Sequence, residues 1–195
     1  MQTKKLQHTL TLAILAAMSI VIRLFDFPLL PAAPFLKFDF SDIPAFIGML
    51  IDGPTGLVFV SLIRDLLNYL MKGGEAGIPL GDTMSFIASI SMYYPMHFLL
   101  KKEKLSTHFF RFKSGIILIL SLTLSLCLFN YFVALPLYIK LLSFPIDSIR
   151  LYVLTLIVPF NLIKGFILVI VQSFLLNYLV PMLNSNNRVY KDYIQ

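Results

Sequence analysis

The stretch Ser114–Tyr138 contains no Asp, Glu, Lys or Arg. An uncharged apolar run of that length fits a transmembrane helix, which needs roughly 17–25 such residues. In lipid every backbone N–H and C=O has to be satisfied within the protein, and a single long run achieves this as a helix. The apolar character extends beyond this run: 58% of the 195 residues are hydrophobic and 13% are charged. A soluble domain is nearer 45–50% apolar and about 25% charged. The sequence therefore reads as an all-α integral membrane protein, with residues 1–195 forming one helical domain.

The formal net charge is +6, but its placement argues against nucleic acid. The basic residues cluster in loops beside apolar runs, where membrane topology puts them. Cys127 is the sole cysteine, which excludes an intrachain disulfide, and its apolar surroundings make it a packing residue. The segment from Leu6 to Ile22 follows Lys4 and Lys5 in the manner of a signal peptide. Ala16-Ala17-Met18 is a poor cleavage site, however, and five more segments follow, so this segment reads as the first transmembrane helix.

Six spans are expected, at residues 9–23, 43–51, 55–71, 82–100, 114–138 and 151–182. The second is too short to cross alone; it is either tilted with its ends buried in protein or re-entrant. Ser41 or Asp42 is its expected N-cap, and Asp52-Gly53-Pro54 its stop. The sixth is longer than a bilayer requires and either extends into water or bends at Pro159. Six spans place both termini on one side. That side carries Lys4, Lys5, Lys101, Lys102, Lys104, Arg111, Lys113, Arg188 and Lys191, against Arg23, Lys37, Lys72, Lys140 and Arg150 on the other. The excess of basic residues assigns the termini to the cytoplasm. The 24–42 and 73–79 loops then face outward.

Motifs for chemistry are absent. There is no GxxxxGK[ST] loop for ATP, no HExxH and no GxSxG elbow, and the three histidines are scattered. The chain does not read as an enzyme, and neither a metal nor a resident cofactor is expected. No inverted repeat is visible, so the chain does not look like a complete alternating-access carrier. It reads as one part of a larger machine.

Polar residues inside the apolar stretches carry the remaining information. Lys164 lies in the middle of the last one, where an ammonium costs roughly 2.5–3.5 kcal/mol on insertion scales. A buried ion pair with Asp65 is one explanation. A binding site for a polar or anionic group is the other. Asn161 is three residues earlier on the same helix face, and Asn130 lies in the fifth span. Two amides and an ammonium match the alternating donors and acceptors of a flat heterocycle; buried Asn residues also bond helix to helix. Arg64, Asp65 and Asn68 are more economically read as a structural polar cluster.

In the loop, Leu36, Phe38 and Phe40 alternate with Lys37 and Asp39, the pattern of an extended two-faced segment. It is either an interfacial loop or a lid over a ligand. Ala13, Ala16 and Ala17 make a small-residue face on the first helix, with Ala13 and Ala17 spaced for close helix approach. That face serves either packing within the bundle or docking to another subunit.

Four motifs together carry a resemblance. They are Phe35-Leu36-Lys37-Phe38-Asp39-Phe40-Ser41-Asp42-Ile43-Pro44-Ala45; Leu66-Leu67-Asn68-Tyr69-Leu70 with the Gly77–Gly81 turn; Phe129-Asn130-Tyr131; and Pro159–Gly165. The chain resembles the substrate-binding S components of energy-coupling factor vitamin transporters, most closely the riboflavin type. The resemblance implies that Asn130, Asn161 and Lys164 bond the polar edge of the isoalloxazine ring, and that Leu36, Lys37, Phe38 and Asp39 close over the ligand. It also implies that Ala13 and Ala17 meet a transmembrane coupling subunit, which works with two ATPase subunits. Riboflavin would be cargo, captured outside and delivered inward. Another vitamin, flavin mononucleotide or a non-transporting scaffold role are the alternatives.

Overall fold

The computed structural model describes residues 2–31, 33, 36–74, 77–102, 108–185 and 189–193. Pro34 and Phe35 of the loop motif, and Glu75 and Ala76 of the following turn, lie outside the described residues. The chain is mostly helical. The helices are α1 (Gln2–Arg23), α2 (Asp42–Lys72), α3 (Leu80–Lys102), α4 (His108–Phe129), α5 (Leu135–Leu142), α6 (Ile149–Tyr152) and α7 (Val158–Ser185). Among the described residues, four stretches are long and apolar enough to cross a membrane: Leu6–Arg23, Asp42–Lys72, Phe110–Leu142 and Ile149–Ser185.

α2 is a hairpin. Asp52 and Gly53 leave helical geometry, and Gly53 takes a left-handed φ of 61°, open to glycine because it has no Cβ. Pro54 then starts the second arm, where its missing N–H is no loss. The reversal brings Arg64 onto Asp42 and Gly56 against the Gly48 backbone. This is the break that the Asp52-Gly53-Pro54 sequence signals.

The first arm, Asp42–Ile51, is about 15 Å long at 1.5 Å per residue. It is almost wholly buried, so its short length is sheathed by protein. A Cβ on Gly56 would run into the Gly48 carbonyl. Gly56→Val is therefore expected to part the two arms, and a fall in thermal unfolding temperature with loss of folded yield checks it.

Two helices carry π turns, each just ahead of a proline. Asn130–Ala134 joins α4 to α5 and precedes Pro136; Val153–Ile157 joins α6 to α7 and precedes Pro159. A proline inside a helix lacks an N–H and its ring meets the carbonyl four residues back. One wider turn relieves that clash without ending the helix. The second of these turns stands just before Pro159, where the sequence offers a bend as one of two accounts of the long last span.

Successive helices run in alternation between two ends. At one end, the start of α1, the α2 turn, the end of α3 and a C-terminal strap come together. Tyr190 N donates to Leu50 O at 2.8 Å, and the Tyr190 ring covers Gly53. Tyr193 Oη is 2.6 Å from His97 Nδ1, and Lys101 pairs with Asp192 at 2.7 Å. The hydrogen bond from Lys101 holds the Asp192 carboxyl below the usual carboxylate range, with the Lys101 charge acting in the same direction.

A depressed folded-state value means that this contact helps fully above the ordinary Asp range and is lost as pH falls below that range through the lower folded-state value. Acidification is therefore expected to loosen the strap, while alkalinisation toward neutrality is not. The protection of the Tyr190 amide relative to its intrinsic exchange rate at each pH, high at neutral pH and lower in acid, checks this.

The opposite end holds the loop before α2. Its strands β1 (Phe27–Pro28) and β2 (Lys37–Phe38) pair antiparallel, Phe27 against Phe38. Leu36 and Phe38 turn inward and Lys37 outward, as the alternation implies, but the pattern ends there: Asp39 is half-buried and Phe40 is exposed. Phe38 is enclosed by Phe27 and Phe40. Leu36 packs with Ala33, Leu135, Val153, Ile157 and Phe160, which seats the loop on the helices that carry the π turns.

Candidate ligand-binding site

Beneath that loop lies a cavity of about 370 Å³, within the roughly 300–1,000 Å³ range of small-molecule sites. Its walls come from the end of α1, the loop, the end of α2, the start of α3, and the π-turn regions of the last two long helices. Leu36, Lys37, Asp39, Asn130 and Lys164 all line it. Phe38 and Asn161 do not. Phe38 supports the loop from behind. Asn161 is buried beside the cavity, on the helix that presents Phe160 and Lys164.

Both asparagines spend one amide hydrogen on their own helix. Asn130 Nδ2 donates to Leu126 O at 2.8 Å and Asn161 Nδ2 to Ile157 O at 3.0 Å. These bonds fix the rotamers and turn the oxygens away from the helix backbone. Asn161 Oδ1 is buried with no hydrogen-bond partner among the described residues. An acceptor left in that state costs about 1–3 kcal/mol.

Lys164 does not pair with Asp65. Its Nζ lies 3.3 Å from Asp42 Oδ2, and its side chain is 12% exposed, to the cavity it lines. Asp42 is not a helix cap either: Ser41 holds the N-cap position and makes no side-chain capping bond. Asp42 instead takes Arg64 at 2.9 Å and Ser89 at 2.5 Å.

Arg64 grips Asp65 with two nitrogens, at 2.9 and 2.8 Å, and also reaches Ser41, Ser85 and Ser89. Arg23 folds back from the end of α1 onto Asp65 (2.7 Å), Asp82 (2.9 Å) and Ser85. Three cations, Arg23, Arg64 and Lys164, thus meet three carboxylates, Asp42, Asp65 and Asp82. The cluster is electrically balanced, which is what allows it to be buried.

The sequence identifies Arg64, Asp65 and Asn68 as a structural cluster and misses Arg23, Asp82, Ser85 and Ser89. Arg23 sits where a loop charge is expected, and nothing local signals its return. At the mouth Asp26 takes Lys37 at 3.1 Å and Lys72 at 3.7 Å, while Asp39 Oδ1 accepts from Ser41 N at 2.7 Å.

Residues 8–176 match the family described as the ECF transporter, substrate-specific component. The chain belongs to that family. A solved structure described as the S component of a bacterial ECF transporter superimposes with a TM-score of 0.76 at 31% identity, covering 92% of this chain and 98% of that one. Among curated proteins, similarity extends to the riboflavin transporter RibU of Streptococcus thermophilus, 35% identical over 74% of this chain and 66% of that protein. The riboflavin transporter FmnP of Bacillus subtilis is 32% identical over 72% and 73%. The matched stretch thus spans just under two thirds of the first of these relatives.

This S component is a multi-pass cell-membrane protein of a transporter family, and the family is not one of enzymes. Its α1 buries Leu12, Leu15, Ala16 and Ser19 and leaves Ala13 and Ala17 exposed beside Leu10, Ile14 and Met18. The Ala13–Ala17 pair therefore faces away from the bundle. Ala16, the third member of the small-residue face, is the one that packs inside.

Proposed function

We propose that this S component captures riboflavin in the cavity under the 24–41 loop and hands it inward. The observation that carries the reading is the wall made by Asn130 and Lys164, with Asn161 alongside. Riboflavin's ring edge presents an imide N–H between two carbonyls. An asparagine oxygen accepts from the N–H, and an ammonium donates to a carbonyl. Lys164 suits this task because Asp42 holds it in place without removing it from the cavity. Leu36, Leu126, Leu135 and Phe160 offer apolar surface for the ring's dimethylbenzene end. A site built this way rejects compounds lacking the polar edge, since its own groups would be left unpaired. The names of the similar proteins favour riboflavin over pantothenate or a pyridoxine-like vitamin.

The architecture goes with six membrane crossings, counting the two arms of α2 separately. The strap end, with both termini, faces the cytoplasm, and the cavity faces outward. Delivery requires a transmembrane coupling subunit docked on the exposed α1 face at Ala13 and Ala17, and two ATPase subunits that supply the energy. The two alanines let a partner helix approach closely.

Gentle purification followed by absorbance and mass spectrometry tests the ligand. A yellow protein releasing riboflavin is expected; a colourless one that takes up no flavin on incubation would overturn the reading.

A further inference from the structure

At the strap end of the bundle, opposite the cavity, Arg111 lies in the first turn of α4, on the face that Ser114, Leu118 and Leu122 bury. Ser114 Oγ donates to Arg111 O at 2.9 Å and accepts from Gln172 Nε2 of α7 at 3.2 Å. Arg111 thus stands at the head of the seam between α4 and α7, where Gly115 leaves room for Val169. The residue is half-buried, and its Nε is buried with no hydrogen-bond partner. No carboxylate serves it among the described residues. Asp192 is taken by Lys101 at 2.7 Å, Asp52 stands 3.6 Å from His8 Nδ1, and the first turn of α4 has no acidic residue. By contrast, Arg23, Arg64 and Lys164 have carboxylate oxygens at 2.7, 2.9 and 3.3 Å. Taking a cation partly out of water without a partner is costly. Beside Arg111 on α4, Phe112, Ile116, Leu120, Leu124 and Leu128 are all exposed. Their spacing of four sets them along one side of the helix, the side turned to acyl chains in a membrane.

We propose that Arg111, helped by Lys102, binds the headgroup of an anionic phospholipid whose acyl chains lie along the Phe112–Leu128 stripe. Lys102 is exposed at the end of α3, which packs against α4. A phosphodiester supplies what Arg111 lacks, two oxygens that accept side by side from guanidinium N–H groups. Basic sites between transmembrane helices take lipid headgroups in this way. The anion is a lipid and not dissolved phosphate, because the stripe offers apolar surface to a tail and nothing to a free ion. The site shares no residue with the cavity, so it stands or falls independently of the riboflavin reading.

The test titrates the full chain in detergent with dioleoylphosphatidylglycerol and, separately, with dioleoylphosphatidylcholine, which has the same tails and a zwitterionic head. Bound lipid is counted by native mass spectrometry. Wild type is expected to hold phosphatidylglycerol at least about tenfold more tightly than phosphatidylcholine. Arg111→Gln should lose about tenfold of the phosphatidylglycerol affinity and Lys102→Gln about fivefold, with phosphatidylcholine binding as in wild type. Lys140→Gln, an exposed site at the other end, should change nothing. An unfolding temperature equal to wild type in lipid-free detergent reports that a variant has folded. Equal wild-type affinity for the two lipids would overturn the proposal. So would undiminished phosphatidylglycerol binding by Arg111→Gln, or an equal loss in Lys140→Gln. Inorganic phosphate binding as tightly as phosphatidylglycerol would overturn it too, since the site would then serve a free anion. If Arg111→Gln fails to fold, Lys102→Gln decides, and no loss of phosphatidylglycerol affinity there would overturn the proposal.

Discussion

Lys164→Met is expected to weaken riboflavin binding by about 10- to 100-fold, the equivalent of one charge-assisted hydrogen bond at about 1.5–3 kcal/mol. The side chain meets the cavity with little exposure elsewhere, and Asp42 fixes its position. Methionine keeps the stem and removes the donor. Asp42 still has Arg64 and Ser89, so the fold should survive with a modest loss of stability. Asn130→Leu should cost a similar factor by leaving the imide N–H unpaired in a water-poor site. Affinity falling with little change in unfolding temperature is the pattern to look for. A fall in both by equivalent amounts would instead make Lys164 structural.

Arg64→Leu should behave in the opposite way, destroying the fold before binding can be measured. The Arg64 side chain has no exposure and holds Asp42 and Asp65 together with three serines. Removing it leaves two buried carboxylates short of a partner, and breaking a buried ion pair costs about 3–5 kcal/mol. Whole-protein stability is only about 5–15 kcal/mol. Arg64→Lys should rescue poorly, because an ammonium cannot form the planar fork that grips both Asp65 oxygens while reaching Asp42. Folded yield and thermal unfolding in detergent check both variants. Near-normal stability for Arg64→Leu would mean that the network contributes little.

The contrast between these two residues shows what the sequence makes legible. Composition settles the membrane class, and Asp52-Gly53-Pro54 marks the α2 reversal, because these are local properties. Lys164 stands out by its cost alone. Its counter-ion does not, because Asp42 sits before an apolar run and looks like a cap until the α2 hairpin and α7 bring it beside Lys164. Arg23 is hidden for the same reason: a charge ending an apolar helix looks solvated unless Asp65 and Asp82 are known to wait beside it. The strap at Val189–Tyr193 looks like a polar tail, and only the packing of Tyr190 over Gly53 gives it a place. Ala13 and Ala17 fall between these cases. Their spacing is visible in the sequence, but which way they face depends on how α1 packs.

On the riboflavin reading the flavin ring lies in the cavity against Asn130 and Lys164, beneath Leu36, with Asn161 buried alongside. A crystal structure of the chain purified with riboflavin tests it most directly. The expected result is the imide edge of the ring within hydrogen-bond distance of Lys164 Nζ and the Asn130 side chain, both on the cavity wall. Stoichiometric riboflavin bound elsewhere, with no flavin atom touching Asn130 or Lys164, would contradict it.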